Sequence, residues 1–147
     1  MSPAQAPSGA FQWPVRVYYE DTDAGGVVYH ATYLRYMERA RTEWLRALGF
    51  EQRRLRAEVG VLFTVRRMDI EYLRPARLDD ALTVTAALAG RGRASLDFVQ
   101  TVLRAADETL CCRARVNVAC IDAERMRPAR TPAAILEALE SERTDGL

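Results

Sequence analysis

The chain has 147 residues, enough for one ordinary domain with its own core. Its 49% hydrophobic and 28% charged content is that of a globular protein, and its formal net charge of +1 gives no case for a nucleic-acid partner. All 21 basic residues are arginine, a bias that GC-rich codon usage explains for most of them and that bidentate phosphate recognition could use at only a few.

Residues 1–12 read as a flexible N-terminal tail, because MSPAQAPSGA lacks the charged and apolar regions of a signal peptide. No apolar run approaches the roughly 18 residues that a transmembrane helix needs. Trp13–Tyr19 alternates Val15, Val17 and Tyr19 against Arg16 and Tyr18 and predicts a strand. Glu20–Val28, rich in Asp and Gly, predicts a loop. A helix follows from Ala31 to about Leu48. Tyr33, Met37, Ala40, Trp44 and Leu48 form its apolar stripe, which Leu34 and Leu45 widen. Arg35, Glu38, Arg39, Arg41, Glu43 and Arg46 form its polar face, and Gly49 stops it.

Glu51–Ala57 reads as a short polar turn or helix, after which the hydrophobic period changes to two. Val61–Leu73, Ala81–Leu88, Ala94–Leu103 and Thr109–Ile121 predict four strands, with a hairpin turn at Gly90–Arg93. The last strand sets Leu110, Cys112, Ala114, Val116, Val118 and Cys120 on one face, the mark of an antiparallel sheet over a core. Cys111, Cys112 and Cys120 lack metal-site or disulfide spacing and read as reduced, buried residues of a cytoplasmic protein. Pro132–Glu142 predicts a terminal helix. The pattern gives an α+β domain over 13–147, with one long helix against an antiparallel sheet of about five strands, whose edges invite dimerisation.

The chemistry concentrates in YYEDTDAGGVVYHATY, Tyr18–Tyr33, which holds the chain's one histidine, His30. Asp21 and Asp23 fail as a calcium loop: position five would be Gly25, and position twelve would be Thr32 where a bidentate Glu is required. Metal-free acid–base or nucleophilic catalysis by Asp23 fits better. Partial burial beside Tyr19, Tyr29 and Val27-Val28 would raise its basicity. Gly25 and Gly26 allow close substrate approach, and helix-opening N–H groups near His30 suit a developing oxyanion. The same aspartates could instead only shape turns and cap the helix. Arg66, Arg91 and Arg93 are solvated residues or contacts for the phosphates of a nucleotide-like carrier.

RVYYEDTDAGGVVYHATYL resembles the signature of the hot-dog-fold acyl-CoA thioesterases of the 4-hydroxybenzoyl-CoA thioesterase family, closest to the YbgC-type, Tol–Pal-associated branch. The similarity continues through ERARTEWLR, VRRMDIEYLRPARLDD and RGRASLDF, covering about Trp13 to Pro128. The resemblance implies a hot-dog fold and hydrolysis of acyl-CoA to free acid and CoA. Asp23 would be general base or nucleophile, with Tyr19 and His30 as further catalytic positions. The His30 backbone N–H would polarise the thioester carbonyl, and Gly26, Tyr29, Arg66, Arg91 and Arg93 are the candidate substrate contacts. No cofactor is implied, since CoA belongs to the substrate. A homodimer or homotetramer with interfacial sites is expected, acyl carrier protein is a further candidate partner, and a cytoplasmic location peripheral to the inner membrane would follow. The alternative is a non-catalytic acyl-carrier-protein or Tol–Pal-associated binding module on the same fold. A hot-dog dehydratase fits less well, because Glu38 and Glu43 on the helix have no preceding His in a matching pattern.

Overall fold

The computed structural model describes residues 9–145. Five strands form one antiparallel sheet: β1 (Phe11–Arg16), β2 (Val61–Tyr72), β3 (Ala81–Arg91), β4 (Ser95–Arg104) and β5 (Leu110–Asp122), in the order β1-β3-β4-β5-β2. The sheet packs against α1 (Thr32–Ala47), while α2 (Gln52–Arg54) runs into a π-helical turn at Leu55–Val59 and α3 (Ala133–Asp145) ends the described chain. Among the described residues no helix is long and apolar enough to cross a membrane.

The apolar stripe explains why α1 is central. Tyr33, Met37, Ala40, Trp44 and Leu45 are all buried, facing Leu82, Val84, Leu96, Phe98, Val102 and Val116 of the sheet. Gly49, at φ +98°, ends the helix as read from the sequence. Its N–H donates to Arg46 C=O at 3.0 Å, and Phe50 N–H donates to Leu45 C=O at 2.8 Å, a Schellman closure. Two readings of the stripe change. Leu34 is exposed, and Arg41, assigned to the polar face, is buried.

The strand boundaries also shift. β1 starts at Phe11, whose ring stacks on Trp44 at 6.1 Å between centroids, and ends at Arg16. Tyr19 is not in a strand but opens a 3-10 turn, Tyr19–Asp21, because the Asp21 carboxylate accepts Tyr18 N–H at 2.9 Å and turns the chain there. β3 runs on through Gly90 and Arg91 over a bulge, so the hairpin turn is tighter than Gly90–Arg93, with Gly92 N–H donating to Ser95 C=O. On β5 the alternation holds: Cys112, Ala114, Val116, Val118 and Cys120 are buried while Arg113 and Arg115 are exposed. The three cysteines are free and buried. α3 covers the remaining core with Ile135 and Leu139.

Candidate active site

The loop between β1 and α1 is a closed small structure. Asp23 N–H donates to Val27 C=O at 2.9 Å, Gly26 N–H donates to Asp23 C=O at 3.0 Å, and Thr22 bridges Val28. Gly25 N–H donates to Asp23 Oδ1 at 2.8 Å, which leaves Oδ2 without a partner among the described residues. Gly26 sits at φ +78°, where L side chains are strained. Asp21 shapes the loop: its side chain holds Tyr18 N–H, and its C=O accepts Tyr29 N–H at 2.9 Å. The buried Tyr36 hydroxyl lies near Asp21 and has no hydrogen-bond partner among the described residues; burial first, then that carboxylate, push its pKa up.

His30 lies in the turn that enters α1 rather than in the helix. Thr32 N–H donates to Tyr29 C=O at 2.9 Å and Leu34 N–H to Ala31 C=O at 3.2 Å. The N–H groups of His30 and Ala31 have no acceptor among the described residues. Ala31 supplies no side-chain cap, so this end of α1 keeps unpaired donors beside the Asp23 loop. The His30 ring is exposed and packs on Tyr29, with centroids 4.4 Å apart.

The end of β2 and the segment after it hold this turn. Tyr72 donates its hydroxyl to His30 C=O at 2.9 Å. Ala76 accepts Val28 N–H at 2.8 Å and donates its own N–H to the Tyr33 hydroxyl at 3.1 Å. Burial pushes the Tyr33 phenol up to about 12, so it stays protonated at physiological pH. Sequence reasoning missed Tyr72. Its only signal was an aromatic residue closing a strand just before a Leu-Arg-Pro turn.

The sequence-predicted residues thus divide. Asp23, Gly26, Tyr29 and His30 come together on one loop and helix entrance. Tyr19 is 83% exposed, and no hydrogen bond or ring contact among the described residues joins it to Asp23 or His30. Asp23 is exposed as well, so the expected burial is absent in a single chain. Arg66, Arg91 and Arg93 lie toward the other end of the sheet. Arg91 pairs with Glu140, and Arg66 lines a cavity of about 400 Å³ with Ala94 and Ser95 of the β3–β4 turn. A second cavity, of about 440 Å³, runs along α1 between Leu34, Glu38 and Arg41 on the helix and Val65 and Met68 on β2. No group of three or more His, Cys, Asp or Glu among the described residues is placed to hold a metal ion.

The sequence model of the thioesterase-like superfamily matches residues 17–139, nearly the whole described domain. The chain belongs to the thioesterase-like superfamily. This thioesterase is 51% identical over 126 residues to the acyl-CoA thioester hydrolase YbgC of Escherichia coli O6:H1, covering 86% of this chain and 92% of that one. It is 47% identical to the acyl-CoA thioesterase YbgC of Haemophilus influenzae, covering 83% and 88%. Among solved structures, a probable thioesterase from Bartonella henselae superposes with a TM-score of 0.79 at 37% identity, covering 84% of this chain and 99% of that one. A 4-hydroxybenzoyl CoA thioesterase mutant complexed with 4-hydroxybenzoyl CoA superposes with a TM-score of 0.83 at 22% identity, covering 90% and 99%, and shares the hot-dog fold. The thioesterase therefore has the fold expected from its signature segment.

Proposed function

We propose that this acyl-CoA thioesterase uses Asp23 as general base and the entrance of α1 as oxyanion donor. Asp23 Oδ2 removes a proton from water while the water oxygen bonds to the thioester carbonyl carbon. The carbonyl electron pair moves onto oxygen, facing the unpaired N–H of His30. Collapse expels CoA as thiolate, which takes the proton from Asp23 and leaves the free acid. The observation that supports this most is the pairing of a half-engaged carboxylate with an acceptor-free helix entrance across one bridged loop. The same proximity makes His30 and Tyr29 candidates to orient water or substrate. The cavity beside Leu34, Val65 and Met68 suits an acyl chain leaving the helix entrance.

The exposure of Asp23 and Tyr19 supports a site completed by a second copy. Antiparallel two-fold pairing of the free β2 edges sets the Tyr72 end of one strand against the Val61 end of the other. The partner's Arg66 and Arg93 would then approach the CoA phosphates, which a single chain does not arrange. A cytoplasmic homo-oligomer, peripheral to the inner membrane and able to meet acyl carrier protein, is consistent with this reading.

Hydrolysis of a panel of acyl-CoAs, followed by thiol release, is the test. Asp23→Asn should lower kcat by about 10²–10⁴-fold, and wild-type turnover by that variant would overturn the assignment. A single turnover in ¹⁸O-water should place the label in the product acid and none in Asp23; label in Asp23 would make it the nucleophile instead.

A further inference from the structure

We infer that Tyr72 is a positioning residue for this hydrolysis: its hydroxyl fixes and polarises the His30–Ala31 peptide, so that the Ala31 N–H joins the His30 N–H as a second oxyanion donor. The inference rests on the reading of Asp23 and the α1 entrance as the reacting site.

The carbonyl of His30 is one that the helix skips. Thr32 N–H goes to Tyr29 C=O, Leu34 N–H goes to Ala31 C=O, and no backbone N–H among the described residues takes His30 C=O. Tyr72, 42 residues away in sequence, donates to it at 2.9 Å. The peptides among the described residues are trans, and in a trans peptide the C=O and N–H point in opposite directions. Two consecutive peptide planes are therefore held by their oxygens, Tyr29 C=O by Thr32 and His30 C=O by Tyr72, and each presents a free N–H on the opposite side. A donor on the carbonyl also strengthens the N–H of the same peptide, because chained hydrogen bonds polarise one another.

Tyr72 is itself held for the task. Its ring meets His30 edge-on at 6.3 Å and Tyr33 at 5.6 Å between centroids. Burial pushes its phenol pKa up, which keeps the donating proton in place. Ala76 holds Val28 on one side and Tyr33 on the other, so the loop and the helix start keep their own anchors when the His30–Ala31 peptide loses the Tyr72 hydroxyl. Removing that hydroxyl alone therefore separates polarisation of the donors from construction of the loop.

Tyr72→Phe keeps both ring contacts and deletes the hydroxyl. Losing one such hydrogen bond should lower kcat by about 2- to 13-fold. KM should stay within about twofold, because the loss falls on the transition state rather than on substrate binding. The melting temperature should fall by no more than about 2–6 °C, the worth of one hydrogen bond, and the Ala31 amide proton should move upfield in a ¹⁵N-resolved NMR spectrum while the Gly25 amide stays in place. An unchanged kcat, a rise in KM that accounts for the whole loss of kcat/KM, or a stationary Ala31 amide would each overturn the inference. Asp23→Asn, run in parallel, separates the two readings: if it turns over like wild type, the site assignment itself fails. If it is inactive while Tyr72→Phe is normal, only the role of Tyr72 falls.

Discussion

Two adjacent glycines in the Asp23 loop serve different ends, and substitution should separate them. Gly25 is close to the carboxylate: a Cβ there would stand 3.2 Å from Asp23 Oδ1, tighter than an ordinary contact. Gly26 faces open space but sits at φ +78°. Gly26→Ala should therefore cost about 1–2 kcal/mol through backbone strain, lowering the melting temperature by about 3–8 °C and leaving Asp23 in place. Gly25→Ala should melt close to wild type and lose turnover, because the methyl displaces the base. Thermal melts and kcat of the two variants check the contrast, and equal melting losses would refute it. At this scale the sequence carried much of the site. Asp-x-Asp, Gly-Gly and His before a helix are local signals, and the loop closes on itself through local hydrogen bonds. Tyr72 was illegible because its role depends on a contact 42 residues away, which no spacing rule encodes. Tyr19 shows the converse: it is close in sequence, yet among the described residues no hydrogen bond or ring contact joins it to Asp23 or His30.

Among the elements, α1 was legible from its period, and the misreading of Arg41 follows from the physics of the stripe. Arg41 borders the apolar face, and binary patterning assigns any arginine to water. The structure buries it because the sheet supplies an acceptor there. Arg41 Nη1 donates to Gln100 Oε1 at 2.8 Å, and Gln100 Nε2 donates onward to Met37 C=O at 3.0 Å and Thr85 C=O at 3.2 Å. No carboxylate among the described residues forms an ion pair with Arg41, and burial lowers its pKa despite the opposing pull of Glu38. One glutamine thus ties α1 to β3 and β4 while solvating a buried charge. Gln100→Leu should be the more damaging change, costing about 3–5 kcal/mol, because it leaves the guanidinium without an acceptor. Arg41→Met should cost only about 1–3 kcal/mol, the penalty of an unpaired amide oxygen. The double variant should recover part of the Gln100→Leu loss. Urea unfolding of the three checks the order, and simple additivity would show that the two side chains do not act as a unit.

For the molecule as a whole, the sheet order leaves β2 as an edge of twelve residues, paired to β5 on one side only. Thr64, Val65, Arg66 and Arg67 are all exposed along it. A long unpaired edge of this kind is normally covered, and a second copy of the chain would cover it while bringing the far arginines toward the Asp23 loop. The number of strands was readable from alternation, but which strand becomes the edge was not, since register and order are set by pairings between distant segments. The bulge in β2 offers a selective test. Arg66 has no partner on β5, whereas Val65 pairs with Val118 and Arg67 with Asn117. Proline is tolerated at bulges and edges, so Arg66→Pro should leave the β2–β5 ladder intact while blocking a strand added from outside. Light scattering after size exclusion should show wild type as a dimer or tetramer, Arg66→Ala as the same species with a raised KM for acyl-CoA, and Arg66→Pro as a folded monomer with little turnover. A monomeric wild type, or an Arg66→Pro variant that stays assembled and active, would place the interface elsewhere and return the arginines to the solvent.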